Sequence, residues 1–116
     1  MKFSVYHLTV PRELQIQQRV PMVDDIMFGF DPLVRMLAVV EMWNKPDTLY
    51  TRVADVEVAD LEGVFNVTNH IDHSWTENNE VVALFSQRPR STSVGDVVVD
   101  SAGNKFFVDS FGFKEF

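Results

Sequence analysis

The chain of 116 residues contains no cysteine. That absence excludes a disulfide framework, a thiolate zinc site and a cysteine nucleophile together, and it suits a reducing cytoplasm. Positive charge is scarce as well, with 10 Lys and Arg against 17 Asp and Glu and a formal charge of −7. The deficit lies upstream: residues 1–85 hold six Lys/Arg and 13 Asp/Glu, residues 86–116 four of each. An acidic chain repels a phosphate backbone, so nucleic-acid binding is disfavoured unless Arg88, Arg90, Lys105 and Lys114 gather on one face. No segment reaches the roughly 18 uninterrupted apolar residues of a membrane span, and Met1 to His7 lacks the long apolar run of a signal peptide. The expectation is a soluble cytoplasmic protein with no membrane partner.

What is present is globular. Apolar residues make up 46% and charged residues 23%, enough for a single domain over 1–116 with its own core. Lys2 to Val10 alternates and ends at Pro11, which predicts a first strand, at an edge or in the centre. Arg12 to Arg19 predicts a loop or one helical turn, and Met22 to Phe30 an apolar connection. Asp31-Pro32 is a helix start, an acceptor for free amides followed by a residue whose missing N–H costs nothing there. Leu33, Met36, Leu37, Val40 and Trp43 form the expected buried stripe, and Pro46 stops the helix. Leu49 to Val58 predicts a strand with Tyr50, Arg52, Ala54, Val56 and Val58 on one pleat face and a wet face opposite. Asp60 caps a second helix with Leu61, Val64, Phe65 and Thr68 as its stripe, weakened at Gly63 by about 1 kcal/mol relative to alanine. Ile71 to Arg90 is the least regular part, its apolar run Val81 to Phe85 expected as a short helix or strand over the core, and loops of such length are often functional.

The chain closes on Arg90-Ser91-Thr92-Ser93-Val94-Gly95-Asp96, a β-branched strand, a turn at Asp100-Ser101-Ala102-Gly103-Asn104 and an aromatic strand, Phe106-Phe107-Val108-Asp109. This predicts a β-hairpin at Val94–Val99 and Lys105–Asp109, with Gly103 at positive φ. The fold class that follows is α+β, a small, mostly antiparallel sheet with two helices and a C-terminal β-hairpin central or next to central.

The helix Asp60-Leu61-Glu62-Gly63-Val64-Phe65-Asn66, then Trp75-Thr76-Glu77-Asn78, then the Ser-Thr-Ser-Val-Gly-Asp block, then Val108-Asp109-Ser110-Phe111-Gly112-Phe113 form an ordered pattern. It resembles the YodL-like group of small proteins and domains encoded by phages, plasmids and conjugative elements, over roughly Tyr50 to Phe116. The resemblance implies a small α+β domain in a mobile-element setting and no established reaction.

Chemistry-bearing residues are few. His70 and His73 offer two metal ligands without an identified third, so no metal and no cofactor is expected. Ser91, Thr92 and Ser93 with Asp96 and a histidine contain the atoms of a nucleophile set, but no strained Gly-x-Ser-x-Gly turn appears. Their simpler role is to satisfy loop amides while Gly95-Asp96 turns the chain into its strand. Trp75 is either an exposed anchor or a lid on the core. The expected binding residues are Trp75, Asn78, Arg88, Arg90, Ser91, Thr92, Ser93 and Phe107. Of the two aromatic rows, Phe106/Val108 and Phe107/Asp109, only one is expected in the core. The functional expectation is a non-enzymatic phage or mobile-element accessory protein that binds a host or element protein, or itself as a homodimer. The alternative is a nucleic-acid-binding protein, or a DNA mimic built on Asp24, Asp25, Asp31, Asp47, Asp55, Glu57, Asp60 and Glu62.

Overall fold

The computed structural model describes residues 1–9, 31–45, 48–69, 74–110 and 112–116. Among them the fold is α+β, with strands β1 (Lys2–Leu8), β2 (Tyr50–Glu57), β3 (Val81–Leu84), β4 (Val97–Asp100), β5 (Lys105–Asp109) and β6 (Gly112–Glu115) and helices α1 (Pro32–Asn44) and α2 (Leu61–Val67). The strands form one sheet in the order β3-β2-β1-β4-β5-β6, and every neighbouring pair is antiparallel. The first strand is therefore central, held between β2 and β4. The expectations for Arg12–Arg19 and Met22–Phe30 lie outside the described residues.

The sheet is covered on both faces. On one, Ala38, Val39 and Met42 of α1 pack with Leu8, Tyr50, Val97 and Phe107. On the other, Val64 of α2 and Trp75 pack with Phe3, Val5, Ala54, Val56 and Val98. Side chains alternate across a strand, so a sheet covered twice buries consecutive residues. Val97 with Val98, and Phe107 with Val108, are core pairs. This corrects the expectation that only one aromatic row would be internal. The hairpin of β4 and β5 is present with β4 at the centre of the sheet, but it does not end the fold: Gly112, at φ +110°, leads into β6, which becomes the outer strand.

Asp31 caps α1 as its sequence predicts, its carboxylate accepting from Leu33 N at 2.9 Å. The buried face differs from the expected one. Arg35, Ala38, Val39 and Met42 point inward, whereas Leu33 and Leu37 are 57% and 60% exposed. The reason is an ion pair: Arg35 reaches across to Asp109 of β5, both buried, and the helix takes the phase that permits it.

In β2 the partner register passes from Ala54 to Arg52 between Val5 and Tyr6 of β1, leaving Val53 as a bulge. The bulge flips the pleat, so Tyr50 and Arg52 face α1 while Ala54 and Val56 face α2, not a single row. Of the residues expected on the wet face, Thr51 and Glu57 are exposed, but Asp55 is buried. Asp55 tolerates this by receiving Arg52 Nη2 at 2.6 Å and Nε at 3.1 Å. Burial pushes its carboxyl up, yet the Arg52 and Ser4 hydrogen bonds and the Arg52 and Lys2 charges win and hold it below the ordinary carboxylate value.

Asp60 caps α2, accepting from Gly63 N at 2.8 Å. A Cβ at Gly63 would stand 3.1 Å from Val58 Cβ, so the helix sits close to the end of β2 and glycine fits the gap. Beyond it, the stretch expected to be the least regular contains a 3₁₀ turn, Trp75–Glu77, and the edge strand β3.

Candidate functional site

Two features meet where β1, the Arg90–Asp96 loop and α2 converge: a buried polar cluster and, beside it, a cleft. The cluster is built on Asp96, which is fully buried. Its Oδ1 accepts from Leu8 N at 2.9 Å and Arg90 Nη2 at 2.8 Å, and its Oδ2 from Ser93 N at 2.8 Å and Arg90 Nη1 at 2.7 Å. Four donors on one carboxylate, two from a forked guanidinium, are the arrangement that makes a buried charge tolerable. Arg90 also donates to Leu8 O and Ser91 O, and Tyr50 Oη donates to Gly95 O at 2.6 Å. Gly95 takes φ +93°, as the tight turn requires. Trp75 Nε1 donates to Arg90 O at 2.9 Å from the far side.

His7 completes the cluster. Its Nε2 lies 2.9 Å from Thr92 Oγ1 and 3.8 Å from Asp96 Oδ2. Burial lowers its pKa from 6.5 to about 4; the Asp96 charge opposes the fall and the Arg90 charge adds to it. The ring is thus neutral in the fold at pH values where the unfolded chain would bind a proton. The unfolded state then holds more protons, so stability rises with pH between about 4 and 6.5 and is complete above that window. The expected His7 contribution, lost as pH falls from 6.5 toward 4, is about 3 kcal/mol. Urea titrations across this range should show the slope in the wild type and a flatter one in His7→Gln. Equal slopes would show that the imidazole is not desolvated.

A hydroxyl, an imidazole and a carboxylate in one place invite comparison with a catalytic triad. In a triad the carboxylate orients one ring nitrogen and the nucleophile meets the other. Here Thr92 and Asp96 approach the same nitrogen, Thr92 is buried, and every Asp96 oxygen is occupied. The cluster locks loop to sheet and leaves no base facing a substrate.

The cleft, of about 550 Å³, lies on the α2 side of the sheet. Phe65, Val94, Val108 and Phe113 give apolar walls, with Ser93, Ser110 and Glu62 as polar groups. Asp109 also borders it but is engaged by Arg35. The cleft offers apolar contact and hydroxyls.

The expected binding residues divide accordingly. Trp75, Thr92 and Phe107 are buried, which corrects their assignment to a partner surface: Trp75 is the lid, and Phe107 packs beneath α1. Asn78 donates to Val67 O at 2.8 Å and ties the 3₁₀ turn to α2. Arg90 is committed to Asp96 and Ser91 accepts from it, while Arg88 and Ser93 are exposed. Of the acidic set, Asp31 and Asp60 cap helices and Asp55 is buried, whereas Asp24, Asp25 and Asp47 lie outside the described residues. Among the described residues no group of three or more His, Asp or Glu is placed to hold a metal, and His70 and His73 lie outside them. Again among the described residues, no helix is long and apolar enough to cross a membrane. Sequence reasoning missed His7 and Arg35, whose partners lie 85 and 74 residues away. No family model, curated protein or solved structure matches the chain.

Proposed function

We propose that the chain is a non-catalytic accessory protein of a phage or other mobile element that acts in the host cytoplasm by binding another protein. The observation that carries the binding reading is the outer face of α1. Leu33, Val34 and Leu37 are 57%, 41% and 60% exposed, while the inner face of the same helix carries Arg35 beside Ala38, Val39 and Met42. Scattered surface apolar residues are ordinary, but adjacent ones on a single helix face mark interaction surfaces. The mobile-element setting rests on the Ser-Thr-Ser-Val-Gly-Asp block and the helix before it. The non-catalytic reading is supported by the saturation of Asp96 and the burial of Thr92.

The test compares immobilised wild type with Leu33→Asp/Leu37→Asp in bacterial lysate. Wild type should retain a defined protein, and the double variant should retain about tenfold less of it, with an unchanged melting temperature because both sites face water. Equal retention by both, or a measured turnover by the wild type, would defeat the reading.

A further inference from the structure

We infer that the cleft between α2 and the strands β5 and β6 binds a compact, largely apolar molecule that carries one ammonium group. This goes beyond the α1 reading and does not depend on it.

The cleft follows from the shortness of α2. Its Val64 packs with Val5, Ala54, Val56 and Val98, carried by β1, β2 and β4. Farther along the same face come Val108 of β5 and Phe113 of β6, which pair across the two strands. The seven residues of α2 make a helix about 10 Å long, whereas six strands side by side span roughly 24 Å. The helix cannot cover them all, and the cleft lies in the space left. With Phe65 of α2 and Val94 of the loop before β4, Val108 and Phe113 enclose about 550 Å³, the size of a small-molecule site.

The unbalanced charge beside this space is negative. Arg35 is held by Asp109 and Arg90 by both oxygens of Asp96, so each guanidinium is neutralised where it stands. Lys114 lies opposite Phe107 and belongs to the α1 face. Glu62, by contrast, lines the cleft, and among the described residues no hydrogen bond or ion pair engages its carboxylate. Glu115, opposite Phe106, shares the face of Phe113. The hydroxyls add hydrogen bonding without charge. Ser93 Oγ accepts from Arg90 Nη1 at 3.2 Å and Ser110 Oγ from Arg35 Nη1 at 3.4 Å, which leaves both protons to donate. An apolar anion is repelled here, and a neutral molecule gains apolar contact and a hydroxyl bond. An ammonium beside Glu62 gains an ion pair as well, with the rings of Phe65 and Phe113 at hand.

The test is an NMR titration of the full chain, its valine methyls labelled with carbon-13, against three closely matched probes: 2-naphthylethylammonium, 2-naphthylethanol and 2-naphthylacetate. The ammonium should shift the methyl resonances of Val94 and Val108. It should bind about fivefold more tightly than the alcohol, as an ion pair in contact with water allows, and the carboxylate should bind weakest. Glu62→Gln should lower the ammonium affinity about fivefold and leave that of the alcohol unchanged. Phe65→Ala should weaken all three probes, and both variants keep the fold because their sites are exposed. No shift at these methyls up to about 5 mM ammonium, a generous limit for a ligand of this size, would overturn the inference. So would a carboxylate probe that binds as tightly as the ammonium, or an ammonium affinity unmoved by Glu62→Gln. Leu33→Asp/Leu37→Asp should bind the ammonium as the wild type does; a folded double variant that does not would assign the probe to α1 and overturn the cleft as its site.

Discussion

Asp96→Ala should lower stability by about 2–4 kcal/mol, because it leaves the Leu8 and Ser93 amides without the carboxylate that accepts from them and takes the countercharge from Arg90, which keeps Leu8 O and Ser91 O. Leu8 N, Ser93 N and both terminal nitrogens of Arg90 converge on this carboxylate. The Asp96 side chain is fully buried, whereas that of Arg90 is 45% exposed. Asp96→Asn should also cost about 2 kcal/mol or more, since its amide NH₂ turns a donor toward donors. Arg90→Ala should cost less, about 1–3 kcal/mol, as the carboxylate keeps its two backbone amides and Arg90 is partly open to solvent. Urea unfolding with an unchanged m-value is the measurement. The same experiment discriminates function. Catalytic side chains are often held at a cost to stability, and removing one is commonly neutral or stabilising. A stable Asp96→Ala protein would therefore reopen the catalytic reading of Thr92, His7 and Asp96, whereas a strongly destabilised one places this carboxylate among the groups that hold the fold.

Local signals in the sequence were legible because their partners are local. Asp31 and Asp60 cap helices whose free amides lie two and three residues on. Gly95 and Gly103 take the positive φ their turns need, whereas the Ser93 amide is satisfied by the Asp96 carboxylate and not by the hydroxyls expected to do so, which meet His7 and Arg90 instead. Faces were less legible. A single-row reading of Phe106 to Asp109 presumes a sheet covered once, and nothing within the strand reveals that α1 and α2 lie on opposite sides. Hydropathy assigned Leu33 and Leu37 to the core and passed over Arg35, since an arginine's burial is settled by a carboxylate 74 residues downstream. The bulge at Val53 is equally a property of the pair β1–β2 rather than of either strand. For the site, the Ser-Thr-Ser-Val-Gly-Asp block marked the correct loop, but His7 joins it only once β1 lies beside β4.

The second large effect concerns the pair that sets the phase of α1. Arg35 and Asp109 are 4% and 6% exposed, and the guanidinium donates to Asp109 and, at 3.4 Å, to Ser110. Removing either partner leaves a buried charge, so Arg35→Ala and Asp109→Ala should each cost about 3–5 kcal/mol. Replacing both with apolar residues of similar size, Arg35→Met with Asp109→Leu, should recover most of that loss, because the desolvation of two charges disappears with their attraction. The cycle closed with the single variants Arg35→Met and Asp109→Leu should thus give a coupling energy of about 3 kcal/mol, well above the value for an exposed pair. Single variants within about 1 kcal/mol of wild type would mean that the pair is solvated. A double variant as unstable as the sum of the singles would mean that the site cannot close around apolar side chains. The recovered variant then isolates what the charges do beyond stability. Its apolar side chain at position 35 still points inward, so Leu33, Val34 and Leu37 keep facing out and lysate retention should persist. If retention is lost while the fold is restored, the ion pair rather than apolar packing holds α1 in the orientation that presents its outer face.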